Sequence, residues 1–362
     1  ILLNIQLIEA SSDSHLWAKQ YSREARDIFQ LQREVAKDIA HNIEAIITPE
    51  EEERIDRIPT DNLEAYDYFL KGQELLFMAK REHLEEAISY FKQAIEMDPE
   101  FALAWAAMAE NTRWLEGYST LPYLEAIERR AMAANRSLEI NPDLGEAYMA
   151  LAFNDDQQED FEAAEAKYRK AIELSPGFAQ AYDWYADFLS QFPGRLRESL
   201  AMIQKAEELD PLSPEIQVEI AEQLISLGRF DAAESRLNRT IQLHPEYVYA
   251  LSIKAQLMTQ IGRFDEAVLA DSKAIDLDPN SPIRYTNYAF TLLDLGDRDS
   301  MAELKQQLAE IDPDHWTNGW VEVIDNMSTG NYAGSIESAK WVSGQFGNAP
   351  WFQNVMGFLH LL

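Results

Sequence analysis

Short apolar segments that end in proline recur along this chain, and their spacing constrains the fold more than any other feature. Ile95–Pro99 reads IEMDP, Ile172–Pro176 reads IELSP and Ile275–Pro279 reads IDLDP. The prolines that end the successive segments, the last of them degenerate, are Pro99, Pro142, Pro176, Pro211, Pro245, Pro279, Pro313 and Pro350. They are 43, 34, 35, 34, 34, 34 and 37 residues apart. A period this regular indicates stacked structural repeats.

Each repeat is predicted to be a pair of helices. Proline cannot continue a helix and moves the preceding residue out of the α region, so each segment marks the end of a second helix. Glycine suits the left-handed residue that ends a first helix, and it recurs at Gly228, Gly262, Gly296 and Gly330. Small residues recur where helices must approach closely, at Ala152, Ala186, Ala221, Ala255 and Ala289 in first helices and at Ala87, Ala164, Ala233 and Ala267 in second helices.

This pattern resembles the tetratricopeptide-repeat (TPR) family. The resemblance is best between Gly145 and Pro176, and it covers roughly residues 63–362. The family positions matched in that best unit are Tyr148, Leu151, Ala152, Ala164, Tyr168, Ala171 and Pro176. The resemblance implies an all-α superhelical solenoid of about eight helix-turn-helix units. It also implies a non-catalytic protein-protein interaction scaffold.

The first sixty or so residues follow a different pattern. Residues 1–9 alternate apolar and polar side chains, which predicts a strand, and Leu16–Tyr21 can be the return strand of a hairpin. An amphipathic helix is predicted from Arg23 through Ile46, and Thr48-Pro49 starts a short helix. The predicted domains are a truncated α+β hairpin-plus-helix remnant at 1–47, a linker with a short helix at 48–62, and the TPR array at 63–362.

The N-terminal segment resembles the end of the TolB-like (FlgO-like) domain that precedes TPR arrays in bacterial signalling proteins. The resembling stretches are Gln6–Ala10, His15–Ala18, Asp27–Phe29 and Pro59–Tyr66. A hairpin and one helix cannot bury a core alone, and apolar residues 351–362 stop in mid-pattern, so we expect a fragment whose last repeat is truncated. The resemblance implies a regulatory module. The alternatives are the C-terminal part of a nucleotide cyclase or protein kinase, or of a winged-helix transcription regulator.

Composition argues against several classes of partner and site. The chain has 31 Lys and Arg against 63 Asp and Glu, a formal charge of -32, which repels nucleic acids and anionic lipids. It has no cysteine, no apolar stretch of about 18 residues and no phosphate-binding or nucleophile-elbow motif. No two histidines have the three- or four-residue spacing of metal ligands on a helix. We therefore expect no catalytic site, metal, cofactor or membrane insertion, and a cytoplasmic location.

The resemblance places partner binding on the concave surface, which is lined mainly by first helices. Carried over repeat by repeat, the candidate residues are Glu110, Arg113, Trp114, Glu146, Met149, Phe153, Asp156, Gln180, Asp183, Asp187, Gln191, Glu215, Glu222, Tyr249 and Gln256. Acids dominate this set, which predicts an acidic groove for a basic peptide anchored on Trp114, Phe153 and Tyr249. Asp183 and Asp187 stand where chaperone-type repeats carry Lys and Asn, so an acidic C-terminal peptide is not expected. A chain this acidic would also place acids on every face.

Four tryptophans lie near the C-terminus: Trp316, Trp320, Trp341 and Trp351. One interpretation is that they form the core of a degenerate last repeat. The alternative is a contact for self-association.

Overall fold

The chain divides into two units, Ile1–Tyr66 and Asp67–Leu362, in the computed structural model. The structure describes residues 2–9, 14–24, 27–43, 48–78, 80–118 and 123–346. The predictions that concern Pro350, Trp351 and the apolar tail lie outside these residues, as does the predicted end of the N-terminal helix at 44–46.

The first unit contains an antiparallel hairpin. Strand β1, Leu2–Glu9, pairs with strand β2, Ser14–Ser22, so that Leu3 lies opposite Tyr21, and the register is irregular between Leu7 and Ile8. The predicted strands are confirmed, and β2 extends beyond the predicted return strand at both ends.

Two helices follow the hairpin, α1 at Ile28–Asn42 and α2 at Pro49–Asp56. The prediction of a helix starting at Arg23 was wrong, because β2 pairs with β1 up to Ser22 and the next two residues, Arg23 and Glu24, are not helical. The predicted start of the second helix at Thr48-Pro49 is confirmed. The Lys37 ammonium lies 2.9 Å from the Glu52 carboxylate and so links the two helices.

The second unit is built from helix pairs, and eight are present in the described part of the chain. This confirms an all-α solenoid preceded by a small hairpin. In chain order the helices are α3 Leu63–Met78, α4 Arg81–Met97, α5 Ala102–Tyr118, α6 Tyr123–Ile140, α7 Gly145–Gln157, α8 Phe161–Leu174, α9 Ala179–Ser190, α10 Leu196–Leu209, α11 Pro214–Ser226, α12 Phe230–Leu243, α13 Val248–Gln260, α14 Phe264–Leu277, α15 Pro282–Leu295, α16 Arg298–Ile311, α17 Trp316–Ser328 and α18 Tyr332–Phe346.

The helix ends follow the predicted proline and glycine signals. The even-numbered helices from α4 to α16 each end two residues before the proline of their repeat. The four glycines predicted to end first helices have left-handed φ angles of +70°, +77°, +72° and +72°, and these are Gly228, Gly262, Gly296 and Gly330. The breaks at these prolines and glycines are therefore set by local backbone constraints.

Alanines occupy the close contacts between helices, as predicted. All nine predicted alanines are buried. In one core cluster Ala221, Ala233 and Ala267 pack with Leu237 and Leu257. Small side chains let the helix axes approach, and the larger apolar side chains fill the remaining space to the density of a protein interior.

Because the solenoid curves, its first helix pair contacts helix pairs much later in the chain. Ile283 of α15 packs against the cluster that contains Leu76 and Leu84. The Lys80 ammonium lies 2.6 Å from the Glu246 carboxylate, and the Asn280 amide donates to Glu82 at 2.9 Å. These contacts join residues far apart in sequence and hold the inner helices around a shared space.

A second return contact involves the last helix pair. Tyr123 and Ile127 of α6 form a cluster with Val323, Ala339 and Val342 of α17 and α18. Trp316 and Trp320 pack against this cluster, which favours the core interpretation for those two side chains, whereas Trp341 is exposed.

Candidate functional site

Arg113 lies at the centre of the surface formed by α5, α9, α11 and α13, called here the inner groove. Its guanidinium is 4.2 Å from the ring centroid of Trp184, 5.0 Å from Trp114 and 5.2 Å from Phe153. Its Nη1 is 3.3 Å from Oε1 of Glu215. Three aromatic faces and one carboxylate therefore hold this cation.

Glu215 connects the side chains around Arg113. Its carboxylate also accepts from Trp184 Nε1 and from Gln180 Nε2, each at 3.3 Å. The same Gln180 amide donates to Glu110 at 3.1 Å. Arg113 and Glu215 are 102 residues apart, so the curvature of the solenoid brings the second repeat to the fifth.

Carboxylates surround this centre. Glu215, Glu219 and Glu222 are spaced four and three residues apart on α11, and Asp183 and Asp187 four apart on α9, so each set lies on one helix face. Among the described residues, the carboxylates that interact electrostatically with Arg113 are Glu110, Asp156, Asp183, Asp187, Glu215, Glu219 and Glu222. Nearby Arg130 is already paired with Glu116 at 2.6 Å.

Burial, in several cases with repulsion from a neighbouring carboxylate, favours protonation of Glu110, Asp156, Asp183, Asp187, Glu219 and Glu222. Burial, reinforced by Glu215, raises the pKa of Glu110 to about 8. Burial, reinforced by Asp187, raises the pKa of Glu219 to about 8 and that of Glu222 to about 7. Burial likewise raises the pKa of Asp156 to about 6 and raises the pKa values of Asp183 and Asp187. The groove therefore retains protons at a pH where exposed carboxyls have lost them.

A cavity of about 310 Å³ lies beside Arg113. Asp183 and Gln223 line it, and these side chains are only 4% and 3% exposed. Within the described part of the chain, Oδ1 of Asp183 and Oε1 of Gln223 have no hydrogen-bond partner. Tyr249, also in the lining, donates its hydroxyl to Glu222 at 3.2 Å.

An adjoining cavity of about 390 Å³ shares two of these lining residues. Trp114 and Glu215 border both spaces, and Glu110 and Gln180 line the second. Buried carboxylates and aromatic rings thus continue along the inner groove over several repeats.

The structure brings most of the predicted groove residues together, but it changes the role of some. Met149 has no exposed surface and packs in the core among residues of α8 and α9, which corrects its assignment to the groove wall. Trp114 and Phe153 face the Arg113 guanidinium, so they hold an internal cation as well as lining the groove.

Other predicted residues lie at the margins of this cluster. Glu146 has a pKa raised by burial and acts electrostatically on Glu110, and the Gln191 amide donates to Asp156 at 3.3 Å. Gln256 is exposed on α13.

Sequence reasoning missed Trp184, Glu219 and Gln223. Glu219 had a detectable signal, because it lies four residues after the predicted Glu215 and so shares its helix face. Trp184 and Gln223 had none, since their roles depend on contacts between repeats.

Comparison with family models supports the repeat assignment. Models described as tetratricopeptide repeats match residues 68–101, 145–178 and 218–282. The chain carries tetratricopeptide repeats. Such repeats are generally protein-interaction scaffolds. Among the described residues, no helix combines the length and apolar character needed to cross a membrane.

Solved structures show the same fold. Yeast Tom70 superposes with a TM-score of 0.52 and 15% identity, over 82% of this chain and 64% of its own. A chain of the APC/C hetero-tetramer Cut9–Hcn1 superposes with a TM-score of 0.51 and 14% identity, over 82% of this chain and 54% of its own. At these identities the similarity shows the fold alone.

One sequence relative is a Rhizobium meliloti (strain 1021) protein named "Putative adenylate cyclase 3". The two are 31% identical over 109 residues, which is 30% of this chain. The chain covers 19% of the relative's length.

Proposed function

We propose that this chain is a non-catalytic interaction module of a bacterial signalling protein, and that its inner groove binds a basic segment of a partner protein. The observation that carries this proposal is the excess of carboxylates around Arg113. Seven of them lie in the described part of the groove, and burial has raised the pKa of several. A cationic segment would take the place of the bound protons and relieve the repulsion between neighbouring carboxylates.

The same charges disfavour other partners. An acidic peptide or a nucleic acid would bring further negative charge next to the groove carboxylates. Burial and repulsion between these carboxylates already favour their protonation. The aromatic ring of Tyr249 offers apolar surface next to the carboxylates, which suits arginine and lysine side chains with their apolar stems.

Fluorescence anisotropy with labelled peptides tests this proposal. We expect an arginine- and lysine-rich peptide to bind and an acidic peptide of equal length not to bind. Binding should weaken between about 50 mM and about 500 mM salt, because screening reduces attraction between charges. The variant Asp187→Lys/Glu222→Lys should lower the affinity at least about tenfold.

A matched control separates groove charge from net charge. Glu128 and Asp231 are exposed on α6 and α12, and Glu128→Lys/Asp231→Lys makes the same change in total charge. Equal affinity of both double variants for the basic peptide would contradict the assignment of binding to the groove.

The cyclase-named relative favours a second candidate function, in which this chain is the regulatory part of an adenylate cyclase. The test is to express the polypeptide encoded by the complete gene and to measure cyclic AMP formed from ATP, with and without Asp187→Lys/Glu222→Lys. Cyclic AMP formation that changes with the groove variant would support this candidate. An absence of cyclic AMP formation would refute it.

We further propose that residues 1–47 are the end of a TolB-like domain, that 48–62 is a linker and that the array starts at 63. The Thr48–Asn62 segment contains one short helix, α2. Limited proteolysis with mass spectrometry should give first cuts within 48–62, and first cuts inside the helix pairs would contradict this division.

A further inference from the structure

Two buried acceptors beside Arg113 have no hydrogen-bond donor among the residues that the structure describes. They are Oδ1 of Asp183 and Oε1 of Gln223, and both residues line the same cavity. Leaving such an acceptor unsatisfied is unfavourable, so two beside one cavity call for an explanation.

The orientation of the Gln223 amide is defined by its other contact. Its Nε2 donates to Oε1 of Glu219 at 3.2 Å. Once a bound cation has displaced the proton that Glu219 retains through its raised pKa, the opposite orientation would place the amide oxygen against a carboxylate oxygen, which is unfavourable. Gln223 therefore presents an acceptor to the cavity, as Asp183 does.

The remaining lining includes the cationic guanidinium of Arg113, but carboxylates outnumber this one cation and aromatic rings add apolar surface. Asp187, Glu219 and Glu222 contribute carboxylates, and Trp184 and Tyr249 contribute rings. This is the same combination that already holds the guanidinium of Arg113, which packs on Trp184 and pairs with Glu215.

We propose that this cavity is the anchor pocket for one arginine side chain of the partner, whose guanidinium donates to Asp183 Oδ1 and Gln223 Oε1. This inference rests on the proposed function and names the side chain that the groove recognises. A guanidinium has five N–H donors in a planar fork and can satisfy two separate acceptors at once. The ammonium of lysine is compact and strongly hydrated, so it fits this acceptor pair less well.

The size of the cavity agrees with a single side chain. Its volume of about 310 Å³ lies at the lower end of ligand pockets, which span roughly 300–1,000 Å³. A helix of the partner would need a longer and more apolar surface.

Isothermal titration calorimetry on the whole chain tests the pocket. The probes are capped glycine- and alanine-based peptides whose single central residue is arginine, lysine or citrulline, an uncharged analogue of arginine. We expect the arginine peptide to bind at least about tenfold more tightly than the citrulline peptide, because charge-assisted hydrogen bonds are the stronger ones. The lysine peptide should fall between the two.

Variants of the two acceptor residues test whether Asp183 and Gln223 bind the arginine side chain. Asp183→Asn and Gln223→Leu should each lower affinity for the arginine peptide at least about tenfold. Asp231→Asn, the same change at an exposed site, should leave it unaltered. Because Asp183 is buried, thermal unfolding of each variant accompanies the titrations, and Glu219→Gln provides a further groove variant if Asp183→Asn does not fold.

Two results would overturn the proposal. The first is equal affinity for the arginine and citrulline peptides, and the second is unchanged binding by Asp183→Asn and Gln223→Leu. Salt-dependent binding of the multiply charged peptide described above could survive both, so failure of the pocket is distinguishable from failure of the acidic groove.

Discussion

Replacing Glu110 with glutamine tests whether the inner groove retains protons. Glu110 is 6% exposed on α5, and its Oε1 accepts from Gln180 at 3.1 Å. Burial, followed by repulsion from Glu215, raises its pKa from 4.5 to about 8. Glutamine has the same shape as the protonated acid and can accept the same hydrogen bond. The substitution therefore removes the titration with little change in packing.

The sign of the effect follows from proton linkage. Between pH 4.5 and about 8 the folded chain keeps a proton on Glu110 that the unfolded chain releases. The free energy of unfolding therefore falls as pH rises through this window, by up to about 1.4 kcal/mol per pH unit. Between about pH 5.5 and about pH 7.5 the free energy of unfolding of the native chain should fall by about 1–3 kcal/mol more than that of Glu110→Gln.

Urea unfolding followed by circular dichroism at the two pH values measures this difference. The native chain, Glu110→Gln and Glu128→Gln are compared, and Glu128 is an exposed glutamate on α6 that serves as the matched control. Glu110→Gln should be the most stable of the three at the higher pH. If its pH dependence parallels that of Glu128→Gln, or if native stability rises across the window, the reasoning is refuted.

Three further predictions concern other parts of the fold. Gly228→Ala should lower the free energy of unfolding in urea by about 1 kcal/mol, because φ at this residue is +70°. Gly177→Ala, at an open site without a left-handed φ, should lower it less, and an equal loss in both variants would contradict this reasoning. Arg113→Met should lower the free energy of unfolding in urea by about 3–5 kcal/mol at neutral pH and by less in mild acid, where the groove carboxyls take up protons. A loss that does not depend on pH would contradict the pairing of Arg113 with these carboxylates. Ile283→Asp should break the contact with the first helix pair and raise the radius of gyration in X-ray scattering; an unchanged radius would show that the contact is dispensable.

The helix pairs could be predicted because their signals are local. A proline ends a helix through its own ring, and a glycine such as Gly228 supplies the left-handed angle through its own backbone. The buried alanines, for example Ala221 and Ala233, repeat with the period of the units, so one repeat predicts the next. The helix start at Ile28 could not be predicted in this way, since it depends on how far β2 pairs with β1.

The candidate site could be predicted only in outline. Acidic residues on first helices were visible, and Asp183, Asp187 and Glu222 do lie together. Met149 was assigned to the groove although it packs in the core, because apolar residues lie on both sides of α7 and the sequence does not say which side faces inward.

The sequence by itself determined the repeat, the helix ends and the negative charge, since each depends on residues within one unit or on composition. Only the tertiary structure decided that Arg113 meets Trp184 and Glu215, and that Asp183 and Gln223 share a cavity. The physical reason is that these contacts depend on the curvature of the solenoid, which is the sum of small rotations between successive repeats. No single repeat specifies that sum, so the chemistry of the groove emerges only when all the repeats are stacked.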